Sequence, residues 1–260
     1  MNSPHQTVIT VRNLKVGYGE TIILHNINFQ VRQGEVFVIL GGSGCGKSTL
    51  LKNLIGLYTP LEGEVWIEGE ELTKAGEEQR RSLLRKFGVT YQSGALFGSM
   101  SVLENVRLPL DELTALAEPL KEMAALALLK LVGLAAAAGK FPSELSGGMQ
   151  KRAAIARAMA LGPRIVFLDE PSAGLDPVTS ADLDRLIKEL AHRFSITFVI
   201  VTHELASIYE IADRVIMLDS HERTIIEEGR PADLRDRSAH PWVRRFFNRE
   251  PDAVTSGLHP

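Results

Sequence analysis

Gly41-Gly42-Ser43-Gly44-Cys45-Gly46-Lys47-Ser48 satisfies the spacing G-x-x-x-x-G-K-[ST]. Just before it, Glu35 leads into Val36-Phe37-Val38-Ile39-Leu40, a short unbroken apolar run of the kind that forms a strand buried on both faces. After it, Ser48 to Leu57 follows a helical pattern. Strand, glycine turn and helix in this order curl the backbone so that successive N–H groups point at one anion. The helix N-terminus adds partial positive charge. Phosphate fits this chemistry, with Lys47 placed to reach β- and γ-phosphates and Ser48 to ligate Mg²⁺. Cys45 reads either as a small residue in a crowded loop or as a reactive thiol.

Upstream, Thr7-Val8-Ile9-Thr10-Val11 is β-branched and apolar, and Ile22-Ile23-Leu24 leads into the alternating positions Ile27, Phe29 and Val31. Gly63 to Gly69 reads as another strand bounded by turns. From about Ser93 to Leu161 the chain is rich in Ala, Leu and Met and reads as a run of helices, with Pro109, Pro119 and Pro142 as breaks. Two more buried-strand runs follow, Arg164–Leu168 and Thr197–Val201, separated by a helix from about Thr179 to Phe194. A third run, Arg214 to Leu218, precedes a turn-rich end. Strands alternating with helices argue for an α/β fold with a parallel-sheet core. The antiparallel-looking N-terminal strands and the helical middle then stand around that core.

The chain has 260 residues, 45% hydrophobic and 23% charged, which excludes disorder and a disulfide-stapled scaffold. A formal charge of −3 offers no basic excess, so nucleic acid is not an expected partner. One cysteine forms no intramolecular disulfide and supplies no Cys-rich zinc site. The residues from Met1 to Thr7 lack the basic and apolar regions of a signal peptide. Met123 to Gly139, about seventeen residues interrupted by Lys130, is too short and too polar to span a membrane and reads as a soluble helix.

Two further stretches carry chemistry. Ile165-Val166-Phe167-Leu168-Asp169-Glu170 is an apolar strand ending in two carboxylates, at the sheet edge where open α/β folds bind ligands. Asp169 is placed to hold the Mg²⁺ shell, and Glu170 to polarise a water for attack on the γ-phosphate. Leu145-Ser146-Gly147-Gly148-Met149-Gln150 precedes an Ala/Arg-rich helix reaching about Leu161. Ser146 is a natural N-cap, and the glycines bare a second set of N–H groups for an anion.

With these motifs in place the sequence resembles the ATP-binding cassette family, the nucleotide-binding subunits of ABC transporters, from about Val8 to Gly229. The resemblance implies a P-loop NTPase of the cassette type, with an N-terminal antiparallel β subdomain and a helical subdomain inserted at about 93–161. It implies a cassette domain over 1–240 and a C-terminal tail over 241–260. Gly41 to Ser48, with Thr49 beside them, match the family's ATP-binding loop, and Asp169-Glu170 its magnesium-binding and water-activating strand. Leu145 to Gln150 matches the signature motif, through Ser146, Gly147 and Gly148, although Met149 stands where the family usually has Gln. Ser172-Ala173-Gly174-Leu175-Asp176 matches the D-loop and makes Asp176 an ATP-binding candidate. His203 matches the switch histidine, Gln92 the Q-loop glutamine that serves catalysis and metal, and Tyr18 the aromatic that stacks on adenine. The implied catalytic set is Glu170, His203, Gln92 and Lys47; the implied metal set is Ser48, Gln92 and Asp169. ATP and Mg²⁺ are the implied ligands.

In the family, the phosphate loop and the signature serine serve one ATP from opposite subunits. A single copy of each motif therefore implies a second copy of the chain in a head-to-tail homodimer. The segments Tyr91-Gln92-Ser93-Gly94-Ala95-Leu96-Phe97 and Met100-Ser101-Val102-Leu103-Glu104-Asn105-Val106, with Met149, resemble the ATPases of MCE-associated lipid transport systems, the Mla type of the Gram-negative envelope. That branch implies an integral-membrane permease, an MCE-type periplasmic lipid-binding subunit and phospholipid as cargo. It places the chain at the cytoplasmic face of the inner membrane. An ATPase of a polar-solute importer shares every catalytic residue and stays open as an alternative. A soluble cassette ATPase of translation or DNA repair is the more remote one.

Two apolar groups are left over. Leu96, Phe97 and Met100 either fill the helical subdomain or receive a permease helix. In the tail, Trp242 with Phe246 and Val243 with Phe247 form i,i+4 pairs on a short helix, which packs either on its own cassette or on the partner ATPase subunit.

Overall fold

The computed structural model describes residues 6–250. Residues 1–5 of the stretch read above for a leader and residues 251–260 of the expected tail lie outside them. In chain order the strands are β1 (Thr7–Tyr18), β2 (Thr21–Arg32), β3 (Val36–Gly41), β4 (Glu62–Ile67), β5 (Glu70–Glu71), β6 (Phe87–Thr90), β7 (Ile165–Asp169), β8 (Thr197–Val201), β9 (Arg214–Leu218) and β10 (Ile225–Gly229). The helices are α1 (Lys47–Leu54), α2 (Glu77–Leu84), α3 (Val102–Leu113), α4 (Glu118–Leu131), α5 (Gly147–Ala158), α6 (Pro177–Phe194), α7 (Leu205–Ile211), α8 (Pro231–Arg237) and α9 (Pro241–Asn248).

Two sheets result. β2-β1-β4-β5 is antiparallel, and β10-β9-β3-β8-β7-β6 is parallel except where β10 returns antiparallel along β9. The unbroken apolar runs become the inner strands of the larger sheet because both of its faces are covered. Along β3, Val36, Val38 and Leu40 join a core with α5, α6 and the helical segment, while Phe37 and Ile39 face α1 and the antiparallel sheet. β7 divides the same way, Val166 and Leu168 to one core, Ile165 and Phe167 to the other. The period-2 geometry of a strand thus welds two cores through one sheet.

The middle of the chain departs from its sequence reading in two places. Pro109 lies inside α3 instead of breaking it. α3 starts from a full capping box, Ser101 Oγ accepting from Glu104 N at 3.2 Å and Glu104 Oε2 from Ser101 N at 2.7 Å. It also buries Val102, Val106 and Leu110. Tertiary packing and a strong cap outweigh the proline penalty of about 3 kcal/mol. The alanine-rich stretch expected as one helix over Met123–Gly139 is divided: α4 ends at Leu131, and a short 3₁₀ turn follows at Ala135–Ala137. Gly133 has φ +76°, and Leu134 N closes the end by donating to Leu129 O at 2.7 Å. Among the described residues no helix is long and apolar enough to cross a membrane. The turn-rich end holds β10, α8 and α9, and α9 buries Val243 and Phe247 in the same core as β3 and α6.

Parallel pairing places the site. β3, β8, β7 and β6 are neighbours running the same way, with Ile39 and Asp169 both level with Val201 and Thr90 level with Leu168. The segments that follow these strands all leave from one edge of the sheet: the glycine loop, His203, Glu170 and Gln92.

Candidate functional site

The glycine loop turns sharply where only glycine is comfortable. Gly44 and Gly46 have φ +75° and +102°, and a Cβ on Gly41 would stand 2.6 Å from Leu218 O and 2.4 Å from Cys45 Sγ. Cys45 is buried, and burial pushes its thiol up, away from the reactive thiolate; of its two readings the crowded-loop residue is the one its surroundings match. Lys47 folds back over the loop, its Nζ donating to Gly41 O at 2.8 Å and Gly42 O at 2.9 Å. Ser43, Gly44 and Ser48 lie exposed around it, at the start of α1. Tyr18 is 48% exposed at the end of β1, with its hydroxyl 3.3 Å from Thr49 Oγ1 and its ring edge-on to Tyr58. An open aromatic face beside a phosphate-binding loop suits a purine base.

Asp169 and Glu170 close the other wall. Asp169 Oδ1 is buried without a hydrogen-bond partner. Its carboxyl is pushed up by burial and by the Glu170 charge, against the pull of Lys52, Lys47 and Lys151. A carboxylate oxygen left in that condition at the sheet edge fits a hard divalent cation with oxygen ligands. Glu170 has φ +47°, an uncommon conformation costing about 1–3 kcal/mol for a side-chain-bearing residue. Its N–H donates to Val201 O at 2.8 Å, and its carbonyl accepts from Ala173 N at 3.2 Å. This geometry turns the carboxylate out of the strand line, so that Oε1 lies 2.8 Å from His203 Nδ1. Gln92 and Asp169 line one cleft with Tyr91, Ser93, Ala173 and Gly174. The fold therefore gathers Lys47, Ser48, Gln92, Asp169, Glu170 and His203 at one edge.

The other candidates lie at the starts of α5 and α6. Ser146 caps α5, its Oγ accepting from Met149 N at 3.3 Å, and Gly148 has no room for a side chain: a Cβ there would meet Thr179 Cγ2 at 2.3 Å. Gly147 packs against Leu175, and Asp176 caps α6 by accepting from Val178 N and Thr179 N at 3.1 Å each. Among the described residues no hydrogen bond joins Ser146, Gly147, Gly148 or Asp176 to the glycine loop. Three residues that the sequence reading did not assign to the site stand next to it. Lys151 and Arg157 on α5 hold backbone carbonyls of the segment after β6, and Trp242 on α9 stands 3.8 Å from where a Cβ on Gly42 would be. The cations carried one available signal, charge within an alanine-rich helix; the placement of Trp242 carried none.

A glycine-wrapped lysine loop, an acidic strand end and an adjacent histidine, on this mixed sheet with its antiparallel companion, define a P-loop ATPase of the cassette kind. The chain belongs to the ABC transporter family, whose description matches residues 24–173. It is the ATP-binding subunit of a membrane transporter and an ATPase. Among its relatives, the intermembrane phospholipid transport system ATP-binding protein of Haemophilus influenzae is 38% identical over 256 residues, 98% of this chain and 96% of the relative. The methionine import ATP-binding protein of Carboxydothermus hydrogenoformans is also 38% identical, over 93% of this chain and 72% of that one. A solved ATP-binding cassette in a post-hydrolysis state, a dimer bound to ADP and phosphate, superposes with a TM-score of 0.76 at 33% identity. The match covers 85% of this chain and 98% of that one.

Proposed function

We propose that this chain hydrolyses ATP to drive an integral-membrane permease that moves phospholipid between the inner membrane and periplasmic carriers. It works as a head-to-tail homodimer attached peripherally at the cytoplasmic face, with an MCE-type lipid-binding subunit on the far side. The observation that carries the hydrolytic part is the Glu170–His203 pair at 2.8 Å beside the glycine loop. Glu170 accepts the proton of the attacking water, and His203 exchanges its Nδ1 contact on Glu170 for a γ-phosphate oxygen, to which its ring N–H donates. Lys47 exchanges its loop carbonyls for β- and γ-phosphate oxygens, and the loop N–H groups hold the same phosphates. Tyr18 offers its face to the base. Ser48, Gln92 and Asp169 would hold Mg²⁺, which neutralises phosphate charge when bound. Ser146, Gly147 and Gly148, with Asp176, are free of the glycine loop of their own chain and serve the ATP of the second copy.

The phospholipid reading is supported by the Gly94–Phe97 segment and Met149, and by the match along nearly the full length of both chains to the phospholipid relative. Import of a polar solute is the second reading, favoured by equal identity to the methionine relative. Purification of the full chain from detergent-solubilised membranes separates them. The expected result is a co-purifying permease with phospholipid detected by mass spectrometry. ATPase activity of that complex stimulated by methionine or another polar solute, with no phospholipid retained, overturns the lipid reading.

A further inference from the structure

The segment after β6 is clamped by α5 through its backbone. Arg157 donates to Gly94 O at 2.9 Å and Ala95 O at 2.8 Å, across a turn closed by Gly94 N to Tyr91 O at 2.7 Å. Earlier on α5, the Lys151 ammonium donates to Gln92 O and also reaches Glu170 O at 3.5 Å. These two carbonyls belong to segments that follow different strands, β6 and β7. Glu170 is the residue with φ +47°, whose side-chain direction depends on its backbone staying in that conformation.

We propose that Lys151 is a positioning residue for hydrolysis, tying the Gln92 backbone to the Glu170 backbone so that the water-activating carboxylate is held in register with the segment that follows β6. The inference rests on the assignment of Glu170 as the base. A carbonyl-to-carbonyl bridge needs a donor with more than one N–H at a single point, which an ammonium provides. Lys151 is partly buried, and burial holds its pKa below the usual lysine value against the opposing pull of the Glu170 and Asp169 charges. Because Ser146 caps α5, the same helix that presents the signature turn also ties Gln92 to Glu170.

The test measures steady-state ATP hydrolysis, ATP binding and thermal melting of the full-length chain and its variants. Lys151→Met is expected to lower kcat roughly ten- to a hundredfold with KM for ATP within about twofold. Its melting temperature should stay near that of the parent, and Lys151→Arg should restore most of the rate. Lys151→Gln, with an NH₂ group that can still donate twice but carries no charge, should fall between them. Glu170→Gln is run in parallel. If it is inactive while Lys151→Met keeps more than about half of the parent kcat, the inference is overturned and the base assignment stands. A rise in KM without loss of kcat, or an Arg variant no better than Met, also overturns it. Activity retained in Glu170→Gln removes the base assignment and this inference together.

Discussion

Asp184 shows how much a single residue's surroundings decide. It lies on α6, 4% exposed, in a cleft shared with Ser180, Arg185, Glu204 and Glu210. Burial pushes its carboxyl up to about 6, with the Glu204 and Glu210 charges adding to the shift and the Ser207 hydroxyl working against it. The folded value therefore stands above the unfolded one, 3.8. Stability from the protonated form is complete below the unfolded value and is lost as the pH climbs through about 6. Asp184→Asn removes the cost of ionisation and is expected to be more stable than the parent above that point, by on the order of 2–3 kcal/mol. Melting curves of both proteins near pH 4 and near pH 8 check it: the gap should open with rising pH. An equal gap at both ends means that Asp184 does not titrate in this window.

At the scale of elements, α9 is the informative one. Eight residues make a helix too short to persist in water on its own. It holds because Val243 and Phe247 are buried and Tyr209 Oη donates to Phe247 O at 3.0 Å. Trp242 and Phe246, 5.9 Å apart, stay half-buried beside them. Of the two surfaces open to the tail in the sequence, the described residues occupy the one on their own chain. Phe247→Ala should cost about 3 kcal/mol or more, a fall in melting temperature of roughly 6–12 °C. Differential scanning calorimetry checks this. A fall under about 2 °C means that α9 is not seated in this core. The sequence showed α9 through its i,i+4 aromatic pairs, but it showed neither α2 nor β10. β10 alternates poorly, Ile225-Ile226-Glu227-Glu228-Gly229, and is a strand because β9 offers it a free edge. Non-local hydrogen bonding made that element.

For the whole molecule, the arrangement of motifs sets an expectation about assembly. Ser146 and Asp176 cap α5 and α6 by taking the N–H groups of Met149, Val178 and Thr179, and on the proposed sandwich the N–H groups of Gly147 and Gly148 are the ones offered to a phosphate brought by another copy. Glu170→Gln should bind ATP without turning it over and accumulate as a dimer. Its hydrolysis rate is expected to fall roughly 10²–10⁴-fold. Size-exclusion chromatography with light scattering, with and without ATP and Mg²⁺, reads the result. ATP-independent mass, or a dimer unaffected by Ser146→Arg, would count against a nucleotide sandwich.

The glycine loop, the acidic strand end and the capped signature turn were legible in the sequence because each is a local device. The glycines are demanded by backbone angles within eight residues, and an apolar run of four or five ending in carboxylates is readable without knowing its neighbours. Gln92, His203 and Tyr18 were named through family resemblance alone, since one residue in a loop carries no periodicity. Tertiary structure decided the rest. Parallel pairing of β6, β7 and β8 brought Gln92 into one cleft with Asp169, and Glu170 to His203. Packing of α5 against the segment after β6 put Lys151 on two carbonyls 78 positions apart. Closure of the core by α9 set Trp242 beside Gly42. Such contacts depend on where distant segments of chain come to lie: an apolar run shows that a strand is buried on both faces, but not which strands flank it or which helices cover it.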